Sequence, residues 1–392
     1  MNSFVDKQET SRYVDDQAAF EELLDDLKGS EILAIDTEFL REKTYYAKLC
    51  LIQVNNGHVQ AIIDPLRIKN LKPFGEILSD PACVKIFHSG SQDIDILYHE
   101  VGVMPTPLFD TQMAAALMGF PLQVGYGPLV HALCGVKLAK ADSYTDWSRR
   151  PLTTNQLKYA LDDVVYLPTM YQHMHDTLEK QGRLSWLDED FAHLADPSRY
   201  ENDPREMWHK VKRVSSLNRP QLAVAREVAA WREKEAMRRN LPRKWVIPDE
   251  AIVDICRKNP KTIDRLLDVR GLSSKLNVKS ARQVLDAVAA GKNCPPDDYP
   301  VLAKHSSGEP GIEGAVDLLA AVVDVRAKEN GVAVPVLASH DDLSRLVRGH
   351  KNECGVLKGW RYEMVGRELL QVMEGKLCVC IQNGKVVLKP AE

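Results

Sequence analysis

The chain has 392 residues, 44% hydrophobic and 27% charged, which suits two or three folded domains and excludes a disordered chain. No apolar run approaches the ~18 residues of a membrane span, no signal-peptide stretch opens the chain, and eight cysteines are too sparse for a disulfide scaffold. The net charge of −4 is unevenly spread, with −13 over residues 1–209, +11 over 210–292 and −2 over 293–392. A reducing, cytoplasmic setting is expected. The basic middle segment fits a polyanion partner or a solvated helical face about equally well.

Residues 1–30 begin polar and turn helical from Gln17 to Leu27. Apolar strands are expected at 31–37, 48–54, 59–63 and 84–88, with Asn55-Asn56-Gly57 turning the middle pair into a hairpin. Helical periodicity follows at about 92–100, 110–118, 126–134 and 154–180. Strands followed by helices point to an α/β domain with a mixed sheet over 1–182. A polar connector spans 183–209. Residues 210–292 are helical apart from a short strand signal at Lys244–Ile247, 293–312 form a Pro-rich linker, and 313–392 are helical with a terminal hairpin around Asn383-Gly384. The stretches LDAVAAGK at 285–292 and LLQVMEGK at 369–376 are alike, as are Val246-Ile247-Pro248 and Val336-Leu337-Ala338. A duplicated helical module is favoured over two unrelated bundles.

Asp36-Thr37-Glu38 closes the first strand, and alternation puts both acids on one sheet face. Such a pair is costly without a cation, and a hard divalent ion is its natural partner. A solvent-exposed strand end is the plainer alternative. Tyr159 and Asp163 are one helical turn apart and share a face; Asp162 points about 100° away. Asp93 falls in the first turn of a helix for which Ser91 is the expected N-cap, a position that favours a carboxylate for structural reasons alone.

Taken together, these segments resemble the three motifs of the DEDD 3′–5′ exonuclease superfamily: Asp36-x-Glu38, the Asp93 segment, and Tyr159-x-x-x-Asp163. The flanks IDTEF, LCLIQV (49–54), FHSGSQDIDIL (87–97) and YTDWSRRPLT (144–153) resemble the ribonuclease D family. Residues 210–292, with WREKEAMRRNLPRKWVIPDEAI, resemble the helicase-and-RNase-D C-terminal (HRDC) domain, and 313–376 resemble a diverged, nearly neutral second copy. The resemblance implies a ribonuclease-H-like exonuclease domain followed by two all-α HRDC-like modules. It implies Asp36, Glu38, Asp93 and Asp163 as metal ligands, and Tyr159 as the residue that positions water. Lys158 stands where the family's other branch has His, so this is the Tyr branch. Spacing favours Asp93 over Asp95 and Asp163 over Asp162.

The implied cofactor is a pair of Mg²⁺ or Mn²⁺ ions, and the implied product is a nucleoside 5′-monophosphate released from the 3′ end. The expected partner is RNA with a free 3′ end, transfer RNA precursors or other structured RNA. Thr37, Phe39, Leu40, Gln53, His88, Arg243 and Lys244 are the expected substrate contacts, Phe39 and Leu40 by wedging the terminal base. Arg238, Arg239 and Trp245 join Arg243 and Lys244 in a basic cluster, with Trp245 alternatively a core residue. Two rivals remain: a DNA-directed exonuclease of the same superfamily, and an RNA-binding protein with an inactive exonuclease domain. Cys378-x-Cys380 and His173-x-His175 lack zinc-site spacing, and Gly125-Tyr-Gly127-Pro128 lacks a nucleotide-binding pattern, so no zinc or nucleotide cofactor is expected. The sequence leaves the oligomeric state open.

Overall fold

The computed structural model describes residues 11–138, 145–302 and 311–391. Tyr144 of the YTDWSRRPLT stretch, and 303–310 of the expected linker, lie outside the described residues.

Six strands make one mixed sheet: β1 (Ser11–Val14), β2 (Ile32–Leu40), β3 (Lys48–Asn55), β4 (Gln60–Ile63), β5 (Val84–Phe87) and β6 (Leu108–Asp110), in the order β1-β4-β3-β2-β5-β6. β2, β3 and β4 are antiparallel neighbours, and β5 and β6 add on parallel. The expected hairpin at 55–57 joins β3 to β4. The sheet is covered on both faces. Leu33 and Ile35 of β2 pack with α1 (Gln17–Leu27), α2 (Phe74–Leu78) and α3 (Ser91–Val101). Ala34, on the other face of β2, packs with α4 (Thr111–Leu117), α5 (Tyr126–Cys134), α6 (Thr154–Val165) and α7 (Leu167–Lys180).

Several elements differ from the sequence expectation. β1 and β6 carry no sequence signal because they are short; only Val14 of β1 is buried, so it has no alternation to read. The helix expected over 154–180 divides at Tyr166, where Pro168 opens α7 without an N–H for the preceding turn. Ser91 is not an N-cap: the helix begins at it, after Gly90, with no side-chain cap. The connector is not a loose tether. It contains α8 (Asp188–Leu194), and Leu194 and Tyr200 are buried in the core of the sheet domain, whereas Trp208 is buried in the core of the next module.

That module contains α9 (Arg219–Arg239), α10 (Arg243–Val246), α11 (Asp249–Lys258), α12 (Ile263–Leu267) and α13 (Val278–Lys292) around one apolar core. The strand signal at Lys244–Ile247 gives way to α10, which Pro242 starts as a turn by accepting from Trp245 N at 2.8 Å. A second apolar core belongs to α14 (Glu313–Asn330), α15 (Val334–Leu337), α16 (His340–Val347), α17 (Gly359–Arg361) and α18 (Arg367–Met373). Both modules run from a long helix that ends on a left-handed residue (Asn240 or Gly331) to a four-residue helix, an extended residue, and another helix. Val246-Ile247-Pro248 and Val336-Leu337-Ala338 fall on equivalent places in that succession. β7 (Leu377–Gln382) and β8 (Lys385–Pro390) form the expected terminal hairpin.

The sheet domain touches both modules. Asn240 Oδ1 accepts from the backbone N–H groups of Tyr45 and Tyr46 at 3.1 and 3.0 Å. Trp186 stacks flat on Trp360 at 4.3 Å, and Ala333 N donates to Ala116 O at 2.8 Å.

Candidate active site

β2 carries Asp36 and Glu38 two residues apart, on the face shared with Ala34. α6 crosses that face. Its start is fixed by Thr153 and Gln156, which cap each other's backbone, and its buried residues are Ala160 and Val164. One turn of α6 then presents Tyr159 and Asp163 to the acids of β2. A carboxylate oxygen from each of Asp36, Glu38 and Asp163 lies within 4.8 Å of the others. The Tyr159 hydroxyl lies beside the Asp163 carboxylate, close enough for the two to influence each other, and its ring stacks on the buried Trp147 with centroids 6.0 Å apart.

Asp93 is carried by α3, and its charge acts on Asp36, Glu38 and Asp163. Thr37 points away from Asp36 and Glu38, and its hydroxyl donates to Asp93 Oδ1 at 2.5 Å. The His88-Ser89-Gly90 turn that aims α3 is held by Asp110, whose carboxylate accepts from Ser89 N and Gly90 N at 3.2 and 2.8 Å. Only glycine fits at Gly90, because a Cβ there would sit 2.4 Å from the Cβ of Phe87. Asp95 is occupied elsewhere, paired with Arg41 at 2.5 Å and His99 at 3.3 Å. Asp162 is outside the three-carboxylate group.

The electrostatics are those of acids waiting for cations. Burial, then repulsion from Asp93, Asp163 and Glu38, raises Asp36 well above the carboxylate range. Burial, then the charges of Asp163 and Asp93, lifts Glu38 to about 8. Burial, then Asp162, lifts Asp163 to about 7, and burial lifts Asp93 to about 6 against the opposing hydrogen bond from Thr37. Among the described residues none of the four has an ion-pair partner. Gln53, the cross-strand neighbour of Asp36, is fully buried with both side-chain polar atoms unpaired. An all-oxygen donor set beside an unsatisfied amide fits hydrated divalent cations.

The 3′–5′ exonuclease family profile matches residues 11–179, and the HRDC domain profile matches 221–288. Ribonuclease D of Sphingobium indicum is 40% identical over 365 residues, covering 91% of this chain and 93% of its own. The chain belongs to the ribonuclease D family. It is a hydrolase of the 3′–5′ exoribonuclease class. Ribonuclease D of Granulibacter bethesdensis is 38% identical, with 92% of each chain covered. The crystal structure of Escherichia coli RNase D, described as an exoribonuclease involved in structured RNA processing, superposes with a TM-score of 0.76. It is 29% identical, and 92% of this chain and 98% of that one are covered. The HRDC match falls on the basic module; the second module lies beyond it.

The ribonuclease D motifs thus converge in space, whereas the expected substrate contacts divide. Phe39 and Leu40 face opposite sides of the sheet, Phe39 against the core of α1 and α3, Leu40 against that of Trp147. β3 carries one extra residue, Cys50, opposite the Glu38–Phe39 junction, so a bulge sits where the strand leaves the acids. His88 has both ring nitrogens engaged, with Thr111 Oγ1 at 2.9 Å and Val124 O at 3.1 Å. Arg243 is held by Glu233 and lies over the Tyr45 ring at 5.0 Å, while Lys244 is exposed. Arg238 and Arg239 line a different surface from Arg243 and Lys244.

The sequence reading missed Asp110, which is 20 residues or more from the turn it holds and has no motif of its own. It also missed the anchor of Trp147. Arg150 donates to Trp147 O at 2.7 Å while gripping the fully buried Asp64 through Nε at 2.5 Å and through a second guanidinium nitrogen at 2.7 Å. Trp147 and Arg150 lie in a stretch the resemblance had marked; Asp64 had no signal.

Proposed function

We propose that the chain shortens RNA from the 3′ end, releasing nucleoside 5′-monophosphates, at a two-metal centre held by Asp36, Glu38, Asp93 and Asp163. The observation that carries this reading is the group of three carboxylate oxygens within 4.8 Å, with no cation to neutralise them among the described residues. Bound there, two Mg²⁺ or Mn²⁺ ions supply Lewis acidity to the attacking water and to the leaving 3′ oxygen.

The protein's own residues do the rest. Thr37 holds Asp93 beside the catalytic strand. Tyr159 orients the water from its place beside Asp163. Without metal, burial and the nearby carboxylates push its phenol above the ordinary tyrosine range, and even an ordinary phenol, at ~10, is a poor base at neutral pH, so it acts by hydrogen bonding.

Division of labour belongs to the same reading. Residues 1–182 carry the chemistry, 183–209 connect, 210–292 grip phosphates in a salt-dependent way, 293–312 link, and 313–392 form a second HRDC-like module. Structured RNA with an unpaired 3′ end, transfer RNA precursors included, is the substrate class, and the cytoplasm is the location. No helix among the described residues is long and apolar enough to cross a membrane.

Matched RNA and DNA single strands, incubated with Mg²⁺, with Mn²⁺ or with chelator, test the reading. Metal-dependent release of 5′-monophosphates from RNA, and much less from DNA, is expected. Equal or faster loss of DNA would replace the ribonuclease reading with the DNA-directed one.

A further inference from the structure

A cavity of about 570 Å³ lies between the sheet domain and the basic module, just beyond the catalytic strand. Arg41, three residues past Glu38, forms one wall, with Tyr46 and His99; Lys210, Lys244 and Trp245 form the other. It also adjoins α3 at Asp95, two residues from Asp93. The two walls are joined by direct bonds. The Tyr45 hydroxyl donates to Glu233, which is also gripped by Arg243, and Asn240 caps the backbone of Tyr45 and Tyr46.

Three features of this cavity have no structural explanation within the fold. Trp245 is 51% exposed, although it sits on a short helix whose neighbours Val246 and Ile247 are buried. Its backbone is pinned, because Lys275 Nζ donates to Lys244 O and Trp245 O at 3.2 and 3.1 Å. Lys210 and Lys244 are exposed cations without an ion-pair partner among the described residues. The acid Asp95 is neutralised by Arg41 and His99, which leaves Glu100 as the unpaired acid of the lining.

We infer that this cavity binds the unpaired nucleotides immediately upstream of the 3′-terminal one. Loose cations beside a rigid exposed indole are the combination that holds single strands: phosphates meet the ammonium groups, and a base stacks on the ring. A base inside a duplex has both faces covered by its neighbours, so Trp245 accepts only an unpaired one. The tail must then be long enough to span from the carboxylates to Trp245. Trimming slows once the tail is too short to reach the cavity.

The inference rests on reading the carboxylate cluster as the nuclease site, and its test separates the two. With the full-length native chain and metal, KM falls as single-stranded RNA lengthens from two to roughly ten nucleotides. In Trp245→Ala and in Lys210→Gln/Lys244→Gln that fall shrinks roughly five- to tenfold, and Trp245→Phe restores most of it. RNA of about ten nucleotides also quenches the emission assigned to Trp245 by difference from Trp245→Phe, even in chelator. The same length dependence in variants and native chain, or unquenched emission, overturns the cavity assignment. Quenching by RNA without hydrolysis in any metal would retain the cavity and overturn the nuclease reading.

Discussion

Thr37 and Asp93 meet across the edge of the central strand, hydroxyl to carboxylate at 2.5 Å. Thr37 lies between Asp36 and Glu38, so the strand that supplies two acids also fixes the position of a third. Thr37→Val keeps the shape and removes the donor. A hydrogen bond to a charged group stabilises by ~1.5–3 kcal/mol, so kcat falls at least roughly tenfold. RNA affinity in chelator stays within about twofold, because the lost hydroxyl is bonded to Asp93 and carries no charge that could grip phosphate. Steady-state kinetics and a binding titration check this; a native kcat in the variant would refute it.

Tyr159 has two neighbours that place it, the Asp163 carboxylate beside its hydroxyl and Trp147 against its ring. Tyr159→Phe keeps the stack and loses the hydroxyl. Misplacing the attacking water costs on the order of 10²-fold in kcat. The pH profile just above neutrality keeps its shape, since a phenol with an ordinary pKa of ~10 or higher stays protonated there. A lost alkaline limb in the variant would show that Tyr159 acts as a base.

The raised carboxyls make metal-free stability depend on pH. Glu38 is lifted to about 8, Asp163 to about 7 and Asp93 to about 6, against ~4 in the unfolded chain. Between about pH 4 and 8 the folded, metal-free chain holds protons that the unfolded chain has released, so these groups make it less stable as pH rises. Mg²⁺ or Mn²⁺ therefore raises Tm more near pH 8 than near pH 5, and Asp163→Asn raises the metal-free Tm near pH 8. Thermal melts with and without chelator check both signs. A metal-induced shift that shrank with rising pH would contradict the assignment of these groups as cation ligands.

The acids were legible in the sequence because both pairs obey a local period, two along β2 and four along α6. Their convergence depended on α6 packing over the face of β2 and β3, which the three motifs implied only by resemblance. What was illegible is long-range or context-driven. Asp64 and Arg150 pair across 86 residues, and Asp110 caps a turn 20 residues away. Val246 and Ile247 read as strand, yet a proline turn and module packing make the segment a helix that displays Trp245. Arg243, read as free for phosphate, is held by the buried Glu233, whose position could be seen only once α9 had folded against α10.

Arg150→Met tests the buried anchor behind the site. Asp64 is fully buried and would be left without its guanidinium, which costs ~3 kcal/mol. Loss of the bond to Trp147 O also loosens the platform under Tyr159, so kcat falls with no matching change in RNA affinity. Denaturant melts and kinetics on the folded fraction check the two effects. An unaltered melting midpoint would mean that Tyr13, which donates to Asp64 at 2.6 Å, is enough to hold it.

The most direct test of the central claim is digestion of a 5′-labelled RNA with a single-stranded 3′ tail by the native chain and by Asp36→Ala. The account predicts a ladder shortening from the 3′ end with Mg²⁺ or Mn²⁺, absent in chelator and reduced about 10³-fold or more in the variant. RNA that stays full length in every metal while still bound by the native chain would contradict it.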